Sequence, residues 1–177
     1  MITFSNPHIS LATAADVPVI TALLNSAYRG ETSKQGWTTE AHLIAGDVRT
    51  NETSLAQIII VENSIVLKYL DDRQQITGCV NLQKHDNKIY LGMLSVSPKL
   101  QGAGIGKALL VAAEEYAAYR QCAGIYMTVI SARTELIEWY ERSGYKDTGE
   151  RKPFIEDDVT GKHLQPLTFM VMEKELV

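Results

Sequence analysis

Long hydrophobic runs are missing from this 177-residue chain. No segment approaches the roughly 18 to 20 uninterrupted apolar residues of a membrane-spanning helix, and the most apolar stretches are short and strand-like. Met1 to Leu11 has neither the basic start nor the long apolar core and small-residue cleavage site of a secretory signal, so a cytoplasmic protein is expected. Cysteine is scarce as well. Cys79 and Cys122 form no C-x-x-C pair and share no zinc-like spacing with the scattered His8, His42, His85 and His163, so reduced structural thiols and no metal are expected. Basic runs are also absent: 17 Lys and Arg stand against 21 Asp and Glu, a net charge of −4, which argues against a nucleic-acid substrate. The 45% hydrophobic and 21% charged fractions exclude wholesale disorder, and the length suits one domain spanning 1–177.

What is present reads as alternating elements. Thr13-Ala14-Ala15-Asp16 resembles a helix cap, and Val17, Ile20, Leu23, Leu24 and Ala27 follow at helical spacing until Tyr28-Arg29-Gly30. After the loop Gln35-Gly36-Trp37-Thr38, a second short helix is expected, with Thr38 or Thr39 as cap, Glu40 in its first turn and Gly46 as its stop. From Ser64 the period falls to two, predicting strands over Ile65 to Leu70, Ile76 to Lys84 and Ile89 to Val96. A helical stripe then carries Leu109, Leu110, Ala113, Tyr116 and Ala117. Next come a strand from Ile125 to Ile130, a helix from Glu135 to Arg142, and strands from Tyr145 to Lys152 and Leu167 to Glu173. The class is mixed α/β. The aperiodic segment Pro153 to Pro166 is long for a hairpin connection and is a candidate functional loop.

Chemistry concentrates at Gln101-Gly102-Ala103-Gly104-Ile105-Gly106-Lys107, between a strand ending at Val96-Ser97-Pro98 and a helix. Glycines there let an anion approach several backbone N–H groups at a helix N-terminus; a tight steric connection is the alternative. The P-loop pattern G-x-x-x-x-G-K-[ST] fails because position 101 is Gln and position 108 is Ala. The dinucleotide pattern G-x-G-x-x-G fails because Lys107 stands where its third glycine belongs.

Leu94-Ser95-Val96-Ser97-Pro98 with Gln101-x-x-Gly104-x-Gly106 and Leu109-Leu110 resembles the GNAT N-acetyltransferases, whose hallmark is [QR]-x-x-G-x-[GA] directly after such a strand. The resemblance implies a central, largely antiparallel sheet splayed at a coenzyme A cleft and flanked by helices. It further implies that acetyl-CoA is the acyl donor, with its pyrophosphate on the N–H groups of Gly102, Ala103, Gly104, Ile105, Gly106 and Lys107. Gln101 would shape the turn. Leu94, Ser95 and Val96 would meet the pantetheine arm, and the Leu94 amide would face the developing oxyanion.

The family's second motif is matched in part. Tyr140-Glu141-Arg142-Ser143-Gly144-Tyr145 fits, while Arg133 stands at the usual cofactor-binding Asn and Leu136 at the usual small residue, as in a bacterial subgroup of unknown acceptor. Tyr140 is the implied general acid for the departing thiolate, against the alternative of a packed aromatic. The general base is not identified: Glu31 and Glu40 flank the expected acceptor side, and Glu156, Asp157 and Asp158 lie on the long loop. Trp37 and Phe154 are candidate acceptor contacts, and with those acids they suggest an acceptor with apolar and cationic parts. The expected reaction is direct transfer to the primary amine of a small molecule or peptide, since neither cysteine has a His partner. A non-catalytic acyl-CoA sensor is the alternative, and the resemblance leaves a homodimer paired through C-terminal edge strands open.

Overall fold

Period-two patterning and β-branched residues build a mixed seven-stranded sheet in the order β1-β2-β3-β4-β5-β7-β6. The computed structural model describes residues 1–156, 159 and 161–176. Its strands are β1 (Ile9–Leu11), β2 (Ser64–Leu70), β3 (Ile76–His85), β4 (Lys88–Val96), β5 (Gly124–Ile130), β6 (Lys146–Pro153) and β7 (Thr168–Glu175). All pairings are antiparallel except β4 with β5. The helices are α1 (Val17–Tyr28), α2 (Gly30–Ser33), α3 (Glu52–Ile60), α4 (Ile105–Tyr119) and α5 (Thr134–Arg142).

The helices bury their stripes on opposite faces of the sheet. Leu109, Leu110, Ala113 and Tyr116 of α4 pack with Leu82, Leu91, Ile125 and Met127 on one face. On the other, Ile20, Leu24 and Ala27 of α1 join Leu55 of α3, Val66 and Cys79. A third cluster, Leu43, Ile44, Ile130 and Leu167 with Phe154 and Phe169, anchors the loops beside β5.

Two features of β4 prepare a cleft. Its parallel pairing with β5 covers Lys88 to Tyr90 against Gly124 to Tyr126 and then stops, while β3 follows β4 to Val96 and β7 follows β5 to Ile130. The two strands therefore part like a V. Within β4, Met93 and Leu94 oppose the single residue Val80, a bulge in which Met93 takes φ +57. At the mouth of the V, the first turn of α4 sits directly on β3: a Cβ at Gly78 would lie 2.7 Å from Ile105 Cγ2.

Several sequence expectations need correction. Residues 38–46 form turns and a single bridge from Ile44 to His163, not a helix. Glu40 there is buried, and its backbone joins Tyr28 through an N–H to carbonyl bond of 2.7 Å, so the segment serves tertiary pairing. Helix α1 ends at Tyr28 with Gly30 left-handed at φ +69, as expected, but a short α2 then opens at Gly30. Strand β1 and helix α3 are additional; α3 is capped by the Asn51 side chain, which accepts from Ser54 N at 2.8 Å. Of the two closing strands only β6 is an edge, since β7 lies between β5 and β6.

Burial sets an alkaline limit on stability. Cys79 is pushed up to about 12 from 9.0, and Tyr28, Tyr140 and Tyr145 are raised above 10.0, each chiefly by desolvation. Groups with raised folded pKa values stabilise the fold below their unfolded values and lose that contribution as pH climbs past them. The melting temperature followed by circular dichroism should therefore be nearly flat from about pH 7 to 8.5 and fall steeply above about pH 9.

Candidate active site

The turn before α4 is built from left-handed backbone. Gly102 (φ +92) and Gly104 (φ +87) occupy conformations that side chains disfavour, and no atom lies within 4 Å of where a Cβ would project at either. Open space faces the turn. Gly104 caps α4 without a side-chain hydrogen bond, so the first N–H groups of this 15-residue helix are left to an external acceptor. Gly106 is small for another reason: a Cβ there would come within 3.2 Å of Trp139 on α5.

Gln101 ties this turn to the rest of the cleft. Its Oε1 accepts from Trp37 N at 2.7 Å and Thr38 N at 3.3 Å, while Nε2 donates to Thr38 Oγ1 at 2.7 Å and to Val96 O at 3.2 Å. One amide thus joins the loop after α2 to the end of β4. Around them lies a cavity of ≈ 520 Å³ walled by the turn, Val96 and the tilted pair Trp37 and Trp139, whose rings are 6.1 Å apart.

A second cavity, ≈ 270 Å³, opens on the other side of the V. A buried ion triad forms its wall: Glu40 Oε2 receives Arg29 Nη2 at 3.2 Å, and Oε1 receives Arg133 Nη1 at 3.1 Å. The three side chains are 8%, 2% and 7% exposed in that order, so these are desolvated pairs rather than surface contacts. Arg133 Nη2 also donates to the Thr38 carbonyl, and Arg29 Nη1 to that of Val48 at 3.2 Å. The guanidinium groups of Arg49 and Arg133 lie 4.7 and 5.5 Å from the centroid of the Tyr28 ring.

The two cavities share four residues, Tyr28, Leu94, Leu136 and Tyr140. The Tyr28 hydroxyl donates to the Leu94 carbonyl. Tyr140 is packed edge-on against Trp139 and Tyr145 at 5.1 and 5.8 Å, and its hydroxyl makes no hydrogen bond among the described residues. Burial is the first cause that raises this phenol well above its ordinary value, with nearby Tyr28 adding to it.

A family model described as an acetyltransferase (GNAT) domain matches residues 39–161, more than half of the chain. The chain belongs to the GNAT acetyltransferase family. Membership makes it an acyltransferase. Solved structures agree in fold. A ribosomal-protein-alanine N-acetyltransferase from Brucella melitensis is 20% identical at TM-score 0.71, covering 95% of this chain and 99% of that one. A spermidine N-acetyltransferase chimera from Vibrio cholerae and hSSAT is 14% identical at TM-score 0.67, covering 94% of each. A protein from Bacillus anthracis assigned as a streptothricin acetyltransferase was solved in complex with acetyl coenzyme A. It is 20% identical at TM-score 0.57, covering 68% of this chain and 66% of that one. No curated protein matches the sequence.

Within this GNAT fold, Val96, Gln101, Gly102, Gly104, Ile105, Gly106 and Lys107 line the larger cavity, as does Trp37, which the sequence had set on the acceptor side. Ala103 is exposed in the turn without lining that cavity, and Ser95 is buried with its hydroxyl on Met93 O at 3.2 Å. Arg133, expected at the cofactor, has its guanidinium held by Glu40 and Thr38 on the wall of the smaller cavity. Phe154 and Glu40 line that cavity too, whereas Glu31 is exposed, paired with Lys34 at 2.6 Å, and lines neither. Glu156 is exposed and accepts from His163 N at 2.7 Å, while Asp157 and Asp158 lie outside the described residues. Sequence reasoning missed Tyr28, Arg29, Arg49 and Trp139, which carry no motif of their own. Among the described residues no helix is long and apolar enough to cross a membrane, and no His, Cys, Asp and Glu group could hold a metal.

Proposed function

We propose that the protein, read as one domain, moves an acetyl group from acetyl-CoA to the primary amine of a small molecule or peptide within a ternary complex. The observation that carries this reading is the shared wall: a glycine-turn cavity and a second cavity meet at Leu94 and Tyr140, inside the V between β4 and β5. The larger cavity suits coenzyme A because its turn combines uncapped N–H groups with open space at Gly102 and Gly104. On this reading the N–H groups of Gly102 and of Gly104 to Lys107 hold the pyrophosphate, the Ala103 N–H being engaged by the Leu100 carbonyl at 3.3 Å, and Gln101 fixes the turn. The bulged segment from Leu94 to Val96 receives the pantetheine arm, with the Leu94 amide facing the oxyanion. Tyr140 donates to the sulfur.

Direct transfer is supported by the cysteines. Cys79 lies outside both cavities and its thiol, pushed up to about 12 by burial, stays protonated near neutrality, a poor nucleophile. The acceptor amine must lose a proton, yet Glu40 is the one carboxylate among the described residues lining the smaller cavity, and two arginines hold it. On this reading water takes the proton.

Acetyl-CoA-dependent thiol release across a library of amines and peptides tests the reading. Failure with every acceptor, in the presence of coenzyme A binding, would leave the non-catalytic sensor. The turn itself has a separate check. Gly104→Ala places a side chain at φ +87, which costs about 1–2 kcal/mol in the left-handed region, so calorimetry should show coenzyme A binding weakened by roughly tenfold.

A further inference from the structure

Three guanidinium groups and one carboxylate are among the described residues that line the smaller cavity: Arg29, Arg49, Arg133 and Glu40. Glu40 holds Arg29 and Arg133. Arg49 stands apart: its guanidinium lies over the Tyr28 ring and has no carboxylate or hydrogen-bond partner among the described residues. It is half-buried and lines the cavity, and its guanidinium donors have no acceptor among the described residues. Its charge is felt by its neighbours. After burial, the largest effect, both Arg49 and Arg133 push the Arg29 guanidinium downward, while Glu40 opposes them.

Placed this way, Arg49 offers the cavity a planar fork suited to a carboxylate or a phosphonate. The Tyr28 ring that lies under Arg49 also places its hydroxyl on the Leu94 carbonyl, at the junction of the two cavities. An anion held by Arg49 is thus one aromatic ring away from the transfer point. We infer that the acceptor is a small amine that also bears an anionic group, anchored by Arg49, as in an α-amino acid or an aminoalkylphosphonate. The inference rests on the acetyl-transfer reading and names its acceptor class. It reverses the cationic acceptor suggested by the acids of the long loop, of which Glu156 is engaged by His163 and lines neither cavity.

The test is a panel of matched acceptors, each α-amino acid beside its carboxamide and its decarboxylated amine, with aminoalkylphosphonates as a second anionic arm. Thiol release and product mass are measured with acetyl-CoA. The acids should exceed their neutral partners in kcat/KM by tenfold or more, a size set by one charge-assisted pair worth about a decade. Preference for one of the two anionic arms identifies which oxyanion the site takes. In Arg49→Ala the ratio within each pair should collapse through a raised acceptor KM, and Arg49→Lys should restore part of it. The coenzyme A dissociation constant, measured on both variants, confirms an intact fold. A panel in which amides, plain amines or polyamines match or outperform the acids overturns the inference alone, as does an unchanged ratio in Arg49→Ala and Arg49→Lys. Absence of transfer to any member, with coenzyme A bound, overturns the inference, and the wider amine and peptide library then decides the proposed function separately.

Discussion

Tyr140→Phe should lower kcat for acetyl transfer by roughly 100-fold, the lower end of what a positioned acid contributes. The dissociation constant of acetyl-CoA should stay within about twofold, because the phenyl ring keeps the edge-on contacts with Trp139 and Tyr145 and the hydroxyl has no hydrogen-bond partner among the described residues. The low end follows from the pKa direction. Burial raises the phenol well above its ordinary value, so complete proton transfer to the departing thiolate is unfavourable. A neutral, desolvated hydroxyl still donates a strong hydrogen bond to developing charge on sulfur, and it stays in the donor form across the working pH range. The pH profile of kcat should accordingly show no fall assignable to this group below about pH 10. Unchanged turnover in the phenylalanine variant would return Tyr140 to a packing role.

The sequence revealed elements where one periodicity dominated and missed them where tertiary pairing decided. Strands β2 to β5 and helices α1 and α5 fall within a residue or two of their predicted bounds, and α4 contains its predicted stripe, because each is dominated by one local period. The segment 38–46 misled because Thr39, Glu40 and Gly46 imitate helix punctuation. In the fold Glu40 turns inward to two arginines and Ile44 bridges to His163. Helix α3 did announce itself through Asn51 and Ser54, followed by Leu55, Ile58 and Ile59. The glycine turn was legible because local backbone geometry, not distant contact, requires Gly102 and Gly104. The acceptor cavity was not: Arg29, Glu40, Arg49 and Arg133 meet from the end of α1, the loop between α2 and α3 and the start of α5, and no spacing rule links them.

The triad around Glu40 yields the largest expected effect on stability. Glu40→Ala should destabilise the fold by about 3–5 kcal/mol, because two guanidinium groups that are 2% and 7% exposed would lose their shared carboxylate without reaching water. For a chain of this size that corresponds to a fall in melting temperature of roughly 10 °C. Screening does little for pairs this deep, so the deficit should persist at about 1 M salt, unlike that of a surface pair such as Lys34 with Glu31. Glu40→Gln keeps the volume and an acceptor oxygen but removes the charge, and should fall between wild type and Glu40→Ala. The damage should also reach the larger cavity. Arg133 bonds both Glu40 and the Thr38 carbonyl, and Thr38 is held in turn by Gln101, so the triad braces the turn that faces coenzyme A. Coenzyme A affinity should therefore weaken in Glu40→Ala even well below its melting temperature. A variant that melts within about 2 °C of wild type would show that the triad contributes little net stability, the outcome known for some buried ion pairs replaced by better packing.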